Sequence, residues 1–389
     1  MSSPDGSQAP LHGLRIVEFA GLGPGPFAAM MLADMGADVI RIERPGAVYD
    51  PHDFLARGRR SIVLDLKRRD AVELAKQLIA QADGLIEGFR PGVMERLGLG
   101  PEQCHAKNRR LVYGRVTGWG QDGPLAHAAG HDLNYIALTG ALWATGEADR
   151  PPTFPANLLG DFGGGGMYLA FGMVAGLLKA ACTGHGDVVD AAITDGTHSL
   201  MTFIHARRAS GRWQDARGAN SLDGGAPWYA VYECACGGWV SVAAIEPKFW
   251  TELLARLDLD DASLGDRSDP AQWPRIRKRL TAVFLGQTRD HWVTCLEGSD
   301  ACFAPVLSPS EATAHPHNIA RGGFVPDGPD QPMPAPRFAS AAPRTPSKPL
   351  PPGAQTDAIL AEIGLTSDEI EAAKASGVVP RSATKENAS

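Results

Sequence analysis

Short apolar runs and helical periods alternate through the first 120 residues. Residues 14–19 read Leu-Arg-Ile-Val-Glu-Phe and predict a strand. A Gly/Pro loop follows over 20–26, then a helix over 27–35 and a second strand over 37–42. That is a β-α-β unit, which predicts parallel strands joined by a right-handed crossover. Ser-Ile-Val-Leu-Asp-Leu over 61–66 predicts another strand. Residues 70–81 are apolar at 72, 74, 75, 78 and 79, a helical period. Further strands are predicted over 84–87 and 111–117, and the alternation as a whole argues an α/β layer with a parallel sheet.

Beyond residue 120 the pattern loosens. Residues 167–181 form the most apolar helical stretch, and 187–193 a strand leaving it. Residues 211–230 are rich in Gly, Asn, Asp and Trp and predict a crossing segment rather than a regular element. Residues 231–244 predict a hairpin turning at Gly237-Gly238. Helices are expected over 248–257, 276–285 and 289–297, and 321–353 is a Pro-rich return. Two short helices over 356–376 close the chain, the first capped by Thr356. The resulting division is a large α/β domain over 1–195, a crossing linker over 196–228, a small α+β domain over 229–320, and a return with a tail over 321–389. Residues 380–389 read as disordered.

Composition narrows the function. The 389 residues carry 37 Lys plus Arg against 44 Asp plus Glu, a net charge of -7. Nucleic-acid binders usually show a basic surplus. The 44% hydrophobic content is enough for a large core. The 45 glycines and 30 prolines demand many tight turns. The six cysteines form no C-x-x-C pair and have no His pair nearby, so they read as free thiols rather than a zinc set. The polar first ten residues lack a signal-peptide pattern. The apolar run 167–182, interrupted by Gly172, Gly176 and Lys179, reads as too short for a membrane span. The expectation is a cytoplasmic protein with no membrane or nucleic-acid partner.

One motif invites a wrong reading. Gly23-Pro24-Gly25-Pro26-Phe27-Ala28 fits the dinucleotide fingerprint, and Glu43 lies 20 residues on. Yet Pro24 and Pro26 remove two N–H donors from a loop that should hold a pyrophosphate. Arg41 and Arg44, bracketing Glu43, suit a phosphate better than a ribose hydroxyl.

Three other segments carry the chemistry: Gly130-His131-Asp132, Gly160-Asp161 with the glycines behind it, and Ile245-Glu246-Pro247. An acid ahead of glycines and a helix start can abstract a proton α to a carbonyl, or attack an activated acyl group. Free N–H groups around Asp161 to Gly163 would hold the developing oxyanion. Taken singly, each segment is also explained by capping, packing or a turn.

At these residues the chain resembles the family III CoA-transferases. The likeness rests on Leu11-His-Gly-Leu-Arg-Ile-Val-Glu18, Gly36-Ala-Asp-Val-Ile-Arg-Ile-Glu43, Glu87-Gly-Phe-Arg-Pro-Gly-Val93 and Gly118-Trp-Gly-Gln-Asp-Gly-Pro124. It extends to Gly130-His-Asp-Leu-Asn-Tyr135, Gly160-Asp-Phe-Gly-Gly-Gly165 and Asp223-Gly-Gly-Ala-Pro227. Within the family, transferases usually carry Tyr where this chain has His131, and their Asp forms a mixed anhydride. The His, the Gly-Asp-Phe-Gly-Gly-Gly string and the Ile-Glu-Pro string are similar to the racemases of 2-methylacyl-CoA thioesters. The resemblance implies a two-base 1,1-proton transfer through an enolate, with no metal and no organic cofactor. His131 and Asp161 match the bases, and Glu246 matches a residue that pairs with the histidine. It places CoA against Arg44, Leu66, Lys67, Gly88, Arg90 and Arg96. Apart from the resemblance, the denser basic run Arg57, Arg59 and Arg60 offers a further patch for the 3′-phosphate. The resemblance also implies a Rossmann-like large domain, a small domain, and an interlocked homodimer whose strap is the segment 195–230. A transferase with Asp161 as nucleophile, and a CoA-binding protein without turnover, are the rival readings.

Overall fold

A computed structural model of the chain describes residues 9–326, 328–340 and 345–380. The chain divides into two units: Met1–Thr139, Ala156–Leu200 and Phe324–Ser389 form the first, Gly140–Pro155 and Met201–Gly323 the second. The large domain read from the sequence runs unbroken through 140–155, whereas those residues cluster with the second unit.

The first unit is built on six parallel strands: β1 (Arg15–Phe19), β2 (Asp38–Glu43), β3 (Arg59–Val63), β4 (Gly84–Glu87), β5 (Val112–Thr117) and β6 (Asp187–Ala192). Their order is β3-β2-β1-β4-β5-β6. Strand order reverses between β1 and β4, and such a switch point opens a crevice at the carboxyl ends of the strands. Both faces are covered. Helix Arg69–Ala80 and the C-terminal helices Thr356–Glu362 and Ser367–Ala375 pack one face through Leu74, Leu78, Ile359, Leu360 and Ile370. Helices Pro24–Asp34 and Tyr168–Thr183 pack the other through Ala28, Leu32, Leu169 and Met173. Burial on both faces is why β4 reads as a continuous apolar run rather than an alternating one.

The second unit holds an antiparallel sheet of β7 (Tyr229–Glu233), β8 (Trp239–Ala243) and β9 (Phe303–Val306), in that order. Helices Pro247–Arg256, Trp273–Phe284 and Arg289–Leu296 close its core around Trp250, Phe284 and Trp292. The expected hairpin is present, with Gly237 at φ +77° in its turn.

Four expectations need correction. The segment 195–230, read as an irregular strap, begins with helices Ile193–Leu200 and Thr202–Ala209. The first of these packs Ile193, Gly196 and Thr197 against the glycines at 164 and 165, and small polar residues with such a role give little apolar period. Thr356 does not cap its helix. Gln355 occupies that position, and the Thr356 hydroxyl donates to the Gly353 carbonyl at 2.8 Å. The helix at 167–181 is longer than its apolar run, because a π-helical stretch Leu158–Met167 leads directly into it. The continuous helix Leu158–Thr183 has 26 residues, long and apolar enough to cross a membrane by length and composition, so the length argument against a span does not hold. Of the tail read as disordered, 381–389 lies outside the described residues, as do residues 1–8.

Candidate active site

The crevice at the switch point is an open cleft of about 700 Å³ lined by Phe19, the loop 21–26, Gly88, Gly130, His131, Tyr135 and Asp161. The proline loop has a structural logic. Gly23 sits at φ +69° and Pro24 occupies the first helical turn, where a missing N–H costs nothing. Below it, Arg59 lies 2.7 Å from the buried Glu18 carboxylate and donates to the Pro26 carbonyl. Glu43, the residue expected to meet a ribose in a dinucleotide enzyme, is instead ion-paired to Arg41 at 3.1 Å.

Asp161 stands in the first turn of the π-helical stretch. π-Helical turns are rare and concentrate at functional sites. The helix already runs through Gly163, so the open loop expected between Asp161 and the helix does not exist. The Asp161 N–H donates to Asp132 Oδ1 at 2.6 Å, and the Phe162 N–H to the Asn157 carbonyl at 3.3 Å. Both are therefore committed within the chain, so neither of these two N–H groups is available for the expected oxyanion role. The Asp161 carboxylate is half-buried and accepts from Asn157 Nδ2 at 3.4 Å. Burial pushes its pKa up; Asn157 and His131 pull it down, and the Asp132 charge pushes it up further. A raised carboxylate is the form suited to proton abstraction near neutral pH.

His131 is the N-cap of helix Asp132–Leu138, with its own N–H donating to Asn134 Oδ1 at 3.1 Å. Its side chain is exposed at the cleft. Tyr135, one turn on, donates its hydroxyl to the Gly130 carbonyl and packs edge-on to Trp119 at 4.7 Å. It braces the loop-to-helix corner that carries His131. Gly118 and Gly130 leave room for the Tyr135 ring, where a Cβ on either would collide with it. Burial and the Asp161 charge raise the Tyr135 pKa. Asp132 is the functional residue that sequence reading passed over. It is buried beside His131 and reaches Asp161 across 29 positions of chain. The only sequence signal was its place in the Gly130-His131-Asp132 string.

The residues expected against CoA fall on one rim. Arg44 follows β2, Leu66 and Lys67 follow β3, and Gly88 and Arg90 follow β4, so all lie at the carboxyl edge of the sheet. Gly88 and Arg90 line a neighbouring cleft of about 600 Å³ with Trp119 and His131. Arg44, Lys67, Arg90 and Arg96 are exposed, while Leu66 packs against the core. Glu87 fixes the corner: it accepts from Arg115 and from the Phe89 N–H, both at 2.7 Å. Arg57, Arg59 and Arg60 are not a phosphate patch. Arg57 pairs with Asp34 at 2.6 Å, Arg59 with Glu18, and Arg60 with Asp38 and Glu362. Their guanidinium groups hold elements of the fold together.

Glu246 belongs to the second unit, as N-cap of helix Pro247–Arg256. Its side chain is exposed and makes no capping bond to that helix.

A model of CoA-transferase family III matches residues 11–356. The chain is 43% identical to mouse alpha-methylacyl-CoA racemase over 363 residues, covering 92% of this chain and 95% of that protein. The human alpha-methylacyl-CoA racemase is 42% identical over 364 residues, with the same coverage. Among solved structures, a CAIB/BAIF family protein from Brucella suis superposes with a TM-score of 0.78 at 28% identity, covering 91% of this chain and 99% of that one.

Proposed function

The chain belongs to CoA-transferase family III, and from that premise we propose that it interconverts the R and S epimers of 2-methylacyl-CoA thioesters. The observation that carries the reading is that one cleft holds two unlike bases, His131 and Asp161. A thioester α-proton leaves to one base, the electron pair moves into the carbonyl as an enolate, and the other base returns a proton to the opposite face. No net charge or atom is gained, and the reaction needs no metal or organic cofactor; CoA is part of the substrate. The raised pKa of Asp161 supports its use as a base. The N–H groups of Asp161 and Phe162 have partners within the chain, so the enolate oxygen takes its donors elsewhere at the cleft. The cationic rim of Arg44, Lys67 and Arg90 suits the pyrophosphate and 3′-phosphate of CoA, with Arg96 assigned to the same wall by resemblance.

Glu246 is the third member of the set, pairing with the histidine and holding one ring tautomer. With it goes an interlocked homodimer, in which Glu246 acts on the site of the other chain. A cytoplasmic setting completes the reading; the free state of all six cysteines fits a reducing compartment.

Proton NMR of one epimer of a 2-methylacyl-CoA in D₂O, with no acceptor acid, tests the proposal. Deuterium entering the α-position as the opposite epimer accumulates is the expected result. Absence of exchange, with CoA moving to a free acid once one is added, would make the protein a transferase and Asp161 its nucleophile.

A further inference from the structure

Glu246 is presented by a rigid corner whose centre is an arginine. Arg267 lies with its guanidinium carbon 5.0 Å from the Trp228 ring centroid and 5.4 Å from that of Trp250. Those two rings meet edge to face at 6.3 Å, and from its place against both of them Arg267 donates to the Ala244 carbonyl at 3.1 Å and to the Ile245 carbonyl at 2.6 Å. Those carbonyls belong to the two residues between the end of β8 and Glu246. The backbone of Arg267 is itself tied down, because its carbonyl accepts from the Trp273 indole at 2.9 Å. Trp250 is fixed in turn by its indole N–H, which donates to Asp261 at 2.9 Å.

The chemistry of this arrangement is specific to arginine. A planar guanidinium can lie against aromatic rings and still direct two donors along one edge. The pair of carbonyls it holds would otherwise sit at a chain corner with no regular hydrogen-bonding neighbour. Glu246 itself is exposed and makes no bond to the helix it opens. The backbone before it therefore sets where this side chain leaves the chain.

We propose that Arg267 is the positioning residue of Glu246: seated against the Trp228–Trp250 pair, it locks the Ala244–Ile245 corner and so fixes where Glu246 leaves the backbone. Arg267 touches no reacting atom and acts only through Glu246. Burial lowers the Arg267 pKa and the charges of Asp261 and Glu246 raise it, so the guanidinium and the carboxylate also feel each other electrostatically. The proposal rests on the reading of Glu246 given above.

A double-mutant cycle on the full-length protein separates the two. Arg267→Met, Arg267→Lys, Glu246→Gln and their combinations are compared for α-proton exchange, with kcat and KM measured separately. Arg267→Met is expected to lower kcat about ten-fold with KM for acyl-CoA within about two-fold, and to cost nothing further in the Glu246→Gln background. If Arg267→Met fails to fold by circular dichroism, Arg267→Lys carries the test. Lysine keeps the charge but lacks the planar fork that meets both carbonyls along one edge, so a loss of about three-fold in kcat is expected, again absent in Glu246→Gln. Losses that multiply in the double variant, or an unchanged kcat in the single one, would overturn the assignment. A fully active Glu246→Gln overturns the reading of Glu246 and the positioning role with it, while exchange by the parent protein still stands as a separate observation.

Discussion

Asp132 Oδ1 accepts a 2.6 Å hydrogen bond from the backbone N–H of Asp161. This one bond joins the helix start that carries His131 to the π-helical turn that carries Asp161. Gly160 leaves the space for it, since a Cβ there would strike the Asp132 carboxyl. The same contact sets two negative charges close together, and the Asp132 charge helps burial hold the Asp161 pKa up.

Asp132→Asn keeps an acceptor for the Asp161 N–H and removes the charge. Asp161 then ionises at lower pH. In the direction of reaction where Asp161 takes the proton, the acid limb of kcat/KM should move to lower pH. Asp132→Ala removes the acceptor as well, and leaving that N–H unpaired costs about 1–3 kcal/mol, read as a loss of activity larger than in the Asn variant.

Asn157 works in the opposite sense. Its amide donates to Asp161 Oδ2 at 3.4 Å and lowers the carboxyl pKa. Asn157→Ala should move the same acid limb upward, opposite in sign to Asp132→Asn. Profiles of kcat/KM against pH for the two variants and the parent, measured from each epimer, check both signs.

The sequence showed more of the fold than of the site. β4, with its run of Gly-Leu-Ile-Glu, and helix Arg69–Ala80, with its amphipathic period, could be read because burial on the sheet imposes the pattern locally. The helix at 193–200 could not, because what holds it is contact of Gly196 and Thr197 with glycines some thirty positions away. The site divides in the same way. His131 and Asp161 stand in compact Gly-rich strings, whereas the role of Asp132 depends on a bond across 29 residues. Arg57, Arg59 and Arg60 read as a ligand patch because three neighbouring cations look alike whatever they face. Their acids come from Glu18, Asp34, Asp38 and Glu362, which no local pattern connects.

Arg59 and Glu18 form a fully buried pair beneath the proline loop. Burial pushes the Glu18 pKa up, while Arg59 and Arg41 pull it down. Arg59→Met strands that carboxylate and should cost about 3–5 kcal/mol of stability, seen as a lowered denaturant midpoint. Replacing both at once, by Arg59→Met with Glu18→Leu, should recover most of the loss, because no unpaired charge then remains.

The two classes of arginine should separate in kinetics. Arg90 is exposed and lines the cleft beside His131. Arg90→Ala should raise KM for acyl-CoA by about ten-fold or more, the range of one charge-assisted hydrogen bond, with a smaller change in kcat. Arg60→Ala removes a guanidinium already held by Asp38 and Glu362. It should leave KM unchanged and lower the melting temperature instead. Steady-state kinetics beside thermal unfolding of the two variants test the division.

The central claim is that His131 and Asp161 are unlike bases serving opposite faces of one α-carbon. It is tested most directly by the initial rate of α-deuterium loss in ordinary water, from each labelled epimer separately, in His131→Ala and Asp161→Asn. Each variant should lose exchange preferentially from one epimer, and the two should have opposite preferences. Equal loss from both epimers in both variants would contradict the two-base assignment.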